Sequence, residues 1–427
     1  MKARISIWLA KHEFVRNLLQ LMSGTASAQM LPILASPVIA RLYSPAELGV
    51  FTAISALAAG IFTVSTWRYD VAIVAPPDDT EARGLVSISR RLSYVTCLVF
   101  GLVLVCFSGQ VSSLLNIPDM RLELAAVGFL AWSMAQVQIL NNWCTRRKRF
   151  GLIGSTRLLQ AASTTGTQLG VGIWGWGAQG LITSLLVGYV VGAFRLWRQT
   201  RDDLASVRRT GLRKVFAEHR KMPAMNLPNA MLDTVRLNGT QLMIQVLFSS
   251  AALGQFGQAW RSLQAPAALI NSSFSQVFYQ KLSVIPPGRM RATVRRSIVV
   301  SAAIGVLPFT LIYLFSPMVF PVVFGARWEI AGYIGSALTP WLYLNFISSP
   351  ISFLFIVVRR QGLLLLYAFP LTAAPLLVIA VFHTDIVQTV AYVSWTMAAM
   401  LAGMLLLALM VAKGFDSSPS SGFNPGE

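Results

Sequence analysis

The chain has 427 residues, 55% of them hydrophobic, and carries 35 Lys and Arg against 16 Asp and Glu, a formal charge of +19. A mean hydropathy of +0.61 is far from that of an ordinary soluble domain. The basic residues fall almost entirely in alternate loops between long apolar runs, which argues for membrane insertion and against nucleic-acid binding. The three cysteines, Cys97, Cys106 and Cys144, have the spacing of neither a disulfide framework nor a metal site.

Apolar runs of about 18 to 25 residues are long enough to cross a roughly 30 Å hydrocarbon core as helices. The predicted crossings are 14–42, 46–65, 84–107, 122–144, 152–173, 179–196, 227–248, 252–279, 294–315, 331–358, 362–382 and 387–411. The expected fold class is therefore an all-α polytopic membrane protein of about 12 transmembrane helices. Near the start, Ala26-Ser27-Ala28 imitates a signal-peptidase site, but its apolar core is short and interrupted by Gln20. A first transmembrane helix is the better reading.

With the N-terminus placed in the cytoplasm, the inner segments hold Lys2, Arg4 and Lys11, then Arg83, Arg90 and Arg91, then Arg146, Arg147, Lys148 and Arg149. The stretch from Arg195 to Lys221 adds nine basic residues, and two later loops add Lys281, Arg289, Arg291, Arg295, Arg296, Arg359 and Arg360. The outer loops show only Arg41, Arg121 and Arg327. Retention of Lys and Arg on the inner side sets both termini in the cytoplasm.

Leu42-Tyr43-Ser44-Pro45-Ala46-Glu47-Leu48-Gly49-Val50-Phe51 returns as Leu247-Phe248-Ser249-Ser250-Ala251-Ala252-Leu253-Gly254-Gln255-Phe256, at an offset of 205 residues. Each copy joins an odd-numbered crossing to the next at the outer face. Six crossings separate them, so the copies share one orientation, as in transporters built from parallel repeats. The expected organisation is an N-terminal lobe over 1–197, a basic cytoplasmic linker over 198–223, a C-terminal lobe over 224–413 and a flexible cytoplasmic tail over 414–427. The linker's cations are spaced either to lie on anionic headgroups or simply to be retained inside.

Polar residues held within the membrane are costly and so become functional candidates. The first crossing carries Gln20, Ser23, Thr25, Ser27, Gln29 and Ser36, the fourth Gln136, Gln138, Asn141 and Asn142, and the fifth Arg157, Gln160, Thr164 and Gln168. Spacings of three and four put the last four on one face. The third, ninth and eleventh crossings are nearly pure hydrocarbon. The first, fifth, seventh and eighth are therefore expected to line a hydrated cavity, with prolines 32, 37, 228 and 266 interrupting three of them.

On the seventh crossing Arg236 lies near the middle, with Asp233 three residues earlier and Gln241 and Gln245 further out; Arg261 lies on the eighth. Two guanidinium groups offer forked donors suited to a phosphate or diphosphate. The alternative is an Asp233–Arg236 structural pair with Arg261 bonded to a neighbouring helix. Arg68 and Asp70, at the inner end of the second crossing, read either as an inner gate or as a cap and ion pair.

Residues 21–26 and 34–37, Arg41-Leu42-Tyr43-Ser44-Pro45-Ala46-Glu47-Leu48-Gly49, and Arg68-Tyr69-Asp70-Val71-Ala72-Ile73-Val74 resemble bacterial polysaccharide biosynthesis membrane proteins of the O-antigen flippase type. Asn142-Trp143, Arg146-Arg147-Lys148-Arg149-Phe150, Phe274-Ser275-Gln276-Val277-Phe278-Tyr279, Phe324-Gly325-Ala326-Arg327-Trp328, Pro340-Trp341 and Ser348-Ser349-Pro350 extend the resemblance to about Gln361. Met222-Pro223 departs from the family's aromatic-Pro pair.

The resemblance implies the multidrug, oligosaccharidyl-lipid and polysaccharide exporter superfamily, with two pseudo-symmetric six-helix lobes around a central cavity. It implies a flippase of the bacterial inner membrane that moves a polyprenyl-diphosphate-linked oligosaccharide, an O-antigen or other surface-polysaccharide unit used in lipopolysaccharide biosynthesis. Arg236, Arg261 and Arg41 would then stabilise the diphosphate, and Gln20, Gln29, Gln160 and Gln168 would meet sugar hydroxyls. Asp233 would exchange a coupling cation, H+ or Na+, with no other cofactor and no metal. The implied partners are membrane lipids, a polysaccharide polymerase and chain-length proteins, with no nucleic acid. The rival readings are a multidrug or small-molecule antiporter of the same superfamily and a membrane polymerase or glycosyltransferase. No phosphate-binding glycine loop of the ATPase kind occurs.

Overall fold

The computed structural model describes residues 13–117, 121–205, 216, 221–264, 288–358 and 360–417. Among them there is no strand. The long helices are α1 (Glu13–Leu42), α2 (Pro45–Ser65), α3 (Asp79–Cys106), α4 (Arg121–Arg146), α5 (Phe150–Ile173) and α6 (Gly177–Ala205). Then come α7 (221–247), α8 (250–264), α9 (Met290–Phe324), α10 (Glu329–Ile351), α11 (Gln361–Val381) and α12 (Ile386–Ser417). These described helices stand where the crossings are predicted, so the chain is an all-α polytopic membrane protein. The remainder of the predicted eighth crossing, including Pro266 and the motif at 274–279, lies outside the described residues.

Where helix ends differ from the prediction, local chemistry accounts for it. α3 starts at Asp79, ahead of the apolar run, because Asp78 caps it through a bond from the Thr80 amide at 3.1 Å. α6 runs on to Ala205, past the expected lobe boundary, and α10 stops one residue after Pro350. Six described helices, α2, α3, α4, α6, α9 and α12, are long and apolar enough to cross a membrane by composition alone, and α1 and α11 contain shorter apolar stretches. α5 and α7 fall short because Arg157, Gln160, Thr164 and Gln168, and Asp233, Arg236 and Gln241, dilute their apolar content.

The sequence repeat is a repeat of structure. α1 ends at Leu42 and α2 begins at Pro45; α7 ends at Leu247 and α8 begins at residue 250. α4 and α10 end at Arg146 and Ile351, again 205 residues apart. In the first copy Ser44 and Glu47 form a capping box, with Ser44 N to Glu47 Oε2 at 2.7 Å and Glu47 N to Ser44 Oγ at 3.3 Å. Ala252 stands where Glu47 does in the second copy, so that box has no second carboxylate.

The chain divides into two compact units, Met1–Ala251 and Ala252–Glu427. In the first, α4 packs against α2, α3, α5 and α6, while α1 lies along α5, α5 along α6, and α7 against α2. In the second, α10 packs against α9 and α12, and α11 against α12. The α3–α4, α4–α6 and α5–α6 pairs of the first half thus recur as α9–α10, α10–α12 and α11–α12. The α7–α8 junction lies on the first copy of the repeat: a Cβ on Gly49 would come within 1.7 Å of the Ser250 carbonyl oxygen, so no side chain fits there.

At the basic end of the first unit Tyr69, Ile73, Leu85, Ile139 and Trp143 form a buried cluster. α3, α9 and α11 instead expose large apolar side chains, among them Leu102, Leu307, Val322 and Leu366. Such faces suit hydrocarbon and not water.

Candidate functional site

α7 is built from three pieces: α-helix over Lys221–Thr234, a π-helical turn over Val235–Gly239 and α-helix over Thr240–Leu247. The turn follows Pro228, which removes a backbone donor from the helix. π-turns are rare and gather at functional positions. Arg236 sits in this turn. Its Nη2 lies 3.0 Å from Asp233 Oδ1, in an i,i+3 ion pair whose carboxylate is 69% exposed and whose guanidinium is 24% exposed.

Arg236 Nε is buried without a hydrogen-bond partner. The Arg236 carbonyl accepts from Thr240 Oγ1 at 2.7 Å, and the neighbouring Thr234 hydroxyl shares a 2.9 Å bond with Thr63 of α2. Beyond the turn, fully buried Gln245 donates to the Leu115 carbonyl at 2.7 Å and to Ser250 Oγ at 2.9 Å. The pair is thus carried on a helix fixed on both sides of it. A guanidinium with one carboxylate partner and donors to spare is equipped to receive a phosphate oxygen.

Asp70 lies in a different environment. It is 2% exposed; Thr66 Oγ1 donates to its Oδ1 at 2.5 Å, and Asn142 Nδ2 donates to its Oδ2 at 3.2 Å and to its carbonyl at 2.9 Å. Gln138 in turn donates to Asn142 Oδ1 at 3.2 Å. Among the described residues no ion pair joins Asp70 to Arg68, so in this structure the two do not form the salt bridge considered from sequence. Trp67 and Arg68 instead take left-handed backbone conformations, at φ 50° and 62°, uncommon for residues with a Cβ. Tyr69 stacks on Phe216 at 5.2 Å and donates to its carbonyl.

Close by, Asp79 pairs with Arg146 at 2.9 Å and Arg147 at 3.0 Å. Arg146 also donates to the Pro76 and Pro77 carbonyls, and Arg147 lies over the Trp143 ring at 5.1 Å. Arg149 pairs with Asp203 at 2.8 Å. Part of the sequence's basic excess is therefore spent on fixing this end of the unit.

Of the other predicted site residues, Gln160 and Gln168 share one face of α5, which packs on α1 and α6. A Cβ at Gly192 would lie 3.4 Å from Gln160 Oε1, so Gln160 faces α6. Gln168 is buried and its carbonyl accepts from Tyr43 Oη at 2.7 Å. Burial first, and then the Glu47 carboxylate, pushes Tyr43 up to about 12, so its hydroxyl stays a neutral donor. Gln29 and Arg41 are exposed on α1, whereas the Gln20 side chain lies outside the described residues. In the second unit Arg261 is exposed on α8 and its Nε donates to the Gly257 carbonyl at 3.1 Å.

Sequence reasoning missed two features. Thr66 and Asn142 hold Asp70, and the polarity of the fourth crossing was the only signal for it. Arg90, counted among loop cations, donates through Nε to Gln136 Oε1 at 3.1 Å, with Gln136 Nε2 donating to Ser93 at 3.0 Å.

A family model described as polysaccharide biosynthesis protein matches residues 38–331. No curated protein matches at the level of sequence. The fold is similar to that of the solved "Lipid II flippase MurJ, inward closed conformation", with TM-score 0.71, 12% identity, and coverage of 93% of this chain and 90% of that one. It is also similar to an inward-facing multidrug resistance MATE family transporter of the MOP superfamily, with TM-score 0.62, 13% identity and coverage of 94% and 96%. A point mutant of the Vibrio cholerae MATE transporter VcmN gives TM-score 0.58 at 12% identity over 96% and 98%. What these likenesses share with the chain is the fold, an all-α polytopic membrane architecture.

Proposed function

The chain belongs to the polysaccharide biosynthesis protein family, and from that premise we propose that it translocates a polyprenyl-diphosphate-linked oligosaccharide, such as an O-antigen unit, across the bacterial inner membrane by alternating access. The observation that carries the reading is Arg236: a guanidinium near the middle of α7, on a π-turn, paired with one carboxylate and with a buried Nε left over. A diphosphate crossing the membrane needs such charge-assisted donors, few enough not to trap it. Exposed Arg41 and Arg261 would serve as further contacts, and Gln20, Gln29, Gln160 and Gln168 as sugar contacts. Asp233, released from Arg236 when phosphate arrives, is the candidate for exchanging H+ or Na+.

Membrane lipids, a polymerase and chain-length proteins complete the proposed setting. The excess of Lys and Arg in alternate loops supports cytoplasmic termini. The MATE likeness keeps one rival in view, a small-molecule exporter.

The test is flipping in proteoliposomes. Wild-type protein is expected to move a lipid-linked oligosaccharide between leaflets, Arg236→Ala to abolish the movement at unchanged abundance, and Arg236→Lys to retain part of it because charge survives and the fork does not. Transport of cationic drugs with no movement of the lipid-linked sugar would replace the flippase reading by the exporter one.

A further inference from the structure

An apolar furrow of about 320 Å³ runs between α3 and α4, within the first unit. On α3 it is lined by Tyr94, Cys97, Gly101 and Val105, and on α4 by Ala125, Gly128 and Trp132. Its floor is formed where the helix backbones approach: a Cβ on Gly128 would lie 2.9 Å from the Gly101 Cα. Its rim is exposed hydrocarbon, with Tyr94, Leu98, Leu102 and Phe129 all open to the surroundings. From Tyr94 to Val105 the furrow spans eleven residues, about 17 Å at 1.5 Å per residue. That is close to the hydrocarbon depth of one leaflet, half of a roughly 30 Å core.

One turn beyond Tyr94, at the arginine-rich end of α3, lies Arg90; one turn beyond Trp132 on α4 lies Gln136. Arg90, Tyr94, Cys97 and Gly101 fall at i, i+4, i+7 and i+11, as do Ala125, Phe129, Trp132 and Gln136, so each set shares a helix face. The bond from Arg90 Nε to Gln136 Oε1 at 3.1 Å closes the seam at the furrow's end. Among the described residues Arg90 has no carboxylate partner, and Arg91 beside it is exposed. A half-buried guanidinium held by a neutral amide lacks an anion.

We infer that this seam is a binding site for one anionic phospholipid of the leaflet at the arginine-rich end, with an acyl chain in the α3–α4 furrow and its phosphate on Arg90. The furrow's one-leaflet length favours a phospholipid chain over the longer polyprenyl chain of the proposed substrate. The charge on Arg90 favours phosphatidylglycerol over zwitterionic lipids. The site stands apart from Arg236 and does not depend on what the protein transports.

Native mass spectrometry of the purified full-length protein, in detergent doped with equal phosphatidylglycerol and phosphatidylcholine, tests it. Wild type is expected to retain one phosphatidylglycerol in preference. Arg90→Gln should weaken retention about tenfold or more, the loss expected for one charge-assisted hydrogen bond, and Arg90→Lys should restore part of it. Leu98→Trp, which fills the furrow without touching Arg90, should lower retention while the protein remains monodisperse. Equal retention of both lipids, or phosphatidylglycerol retention unchanged in both Arg90→Gln and Leu98→Trp, would overturn the assignment. Displacement of the bound lipid by undecaprenyl phosphate at equal mole fraction would also overturn it, giving the furrow to the carrier chain.

Discussion

Arg236 and Asp70 are both ionisable residues in or beside membrane-crossing helices, and their surroundings give them different work. The Arg236 pair has an open carboxylate and donors in reserve, so it can trade partners. Asp70 is enclosed by Thr66 and Asn142 and has no such freedom. Replacing Asn142 by Ala would leave the Asp70 Oδ2 without its donor and the Asp70 carbonyl with only the Ile73 amide, a loss of about 1–3 kcal/mol. We therefore expect Asn142→Ala to lower the melting temperature in detergent and to reduce abundance and transport together. Arg236→Ala is expected to separate the two, sparing abundance. The sequence marked Asn142 as an intramembrane amide, but nothing in it says that the amide reaches residue 70 across 72 positions of chain.

At the scale of elements, the crossings were readable as apolar runs, but several helix ends lie five to nine residues from the run's edge, because caps and prolines act locally and hydropathy does not register them. α2 starts on such local chemistry, with Ser44 and Glu47 closing a capping box and Pro45 in its first turn. Ser44→Ala should cost about 1 kcal/mol. Gly49 is a different matter, since its lack of a side chain answers to Ser250, two hundred residues on. Gly49→Ala should destabilise toward the upper end of the roughly 1–3 kcal/mol typical of overpacking. Gly60→Ala on the same helix, where a Cβ meets nothing within 4 Å, should instead stabilise by up to about 1 kcal/mol. Thermal unfolding of the two variants side by side reads out this difference. The π-turn was not legible: Pro228 suggested a break in α7, but the extra residue in the turn depends on how α7 is held at Thr63 and Gln245.

For the whole molecule, the repeat and the charge distribution make a claim about direction. Lys148 is exposed between α4 and α5, and Trp174 between α5 and α6. With the three native cysteines replaced, an impermeant thiol reagent applied to intact cells should label Trp174→Cys and leave Lys148→Cys unlabelled until the membrane is opened. The reverse pattern would invert the topology.

Sequence alone determined the all-α polytopic class, the 205-residue repeat and the helices poor in polar groups, because these depend on runs and sums along the chain. Tertiary structure decided which polar groups are occupied and which are left open. Arg90 was legible as a basic residue near a membrane boundary; only the packing of α3 on α4 sets it against Gln136 at the end of an apolar furrow. The reason is geometric: hydropathy is additive along one dimension, whereas a hydrogen bond between two helices depends on the rotation and depth of both.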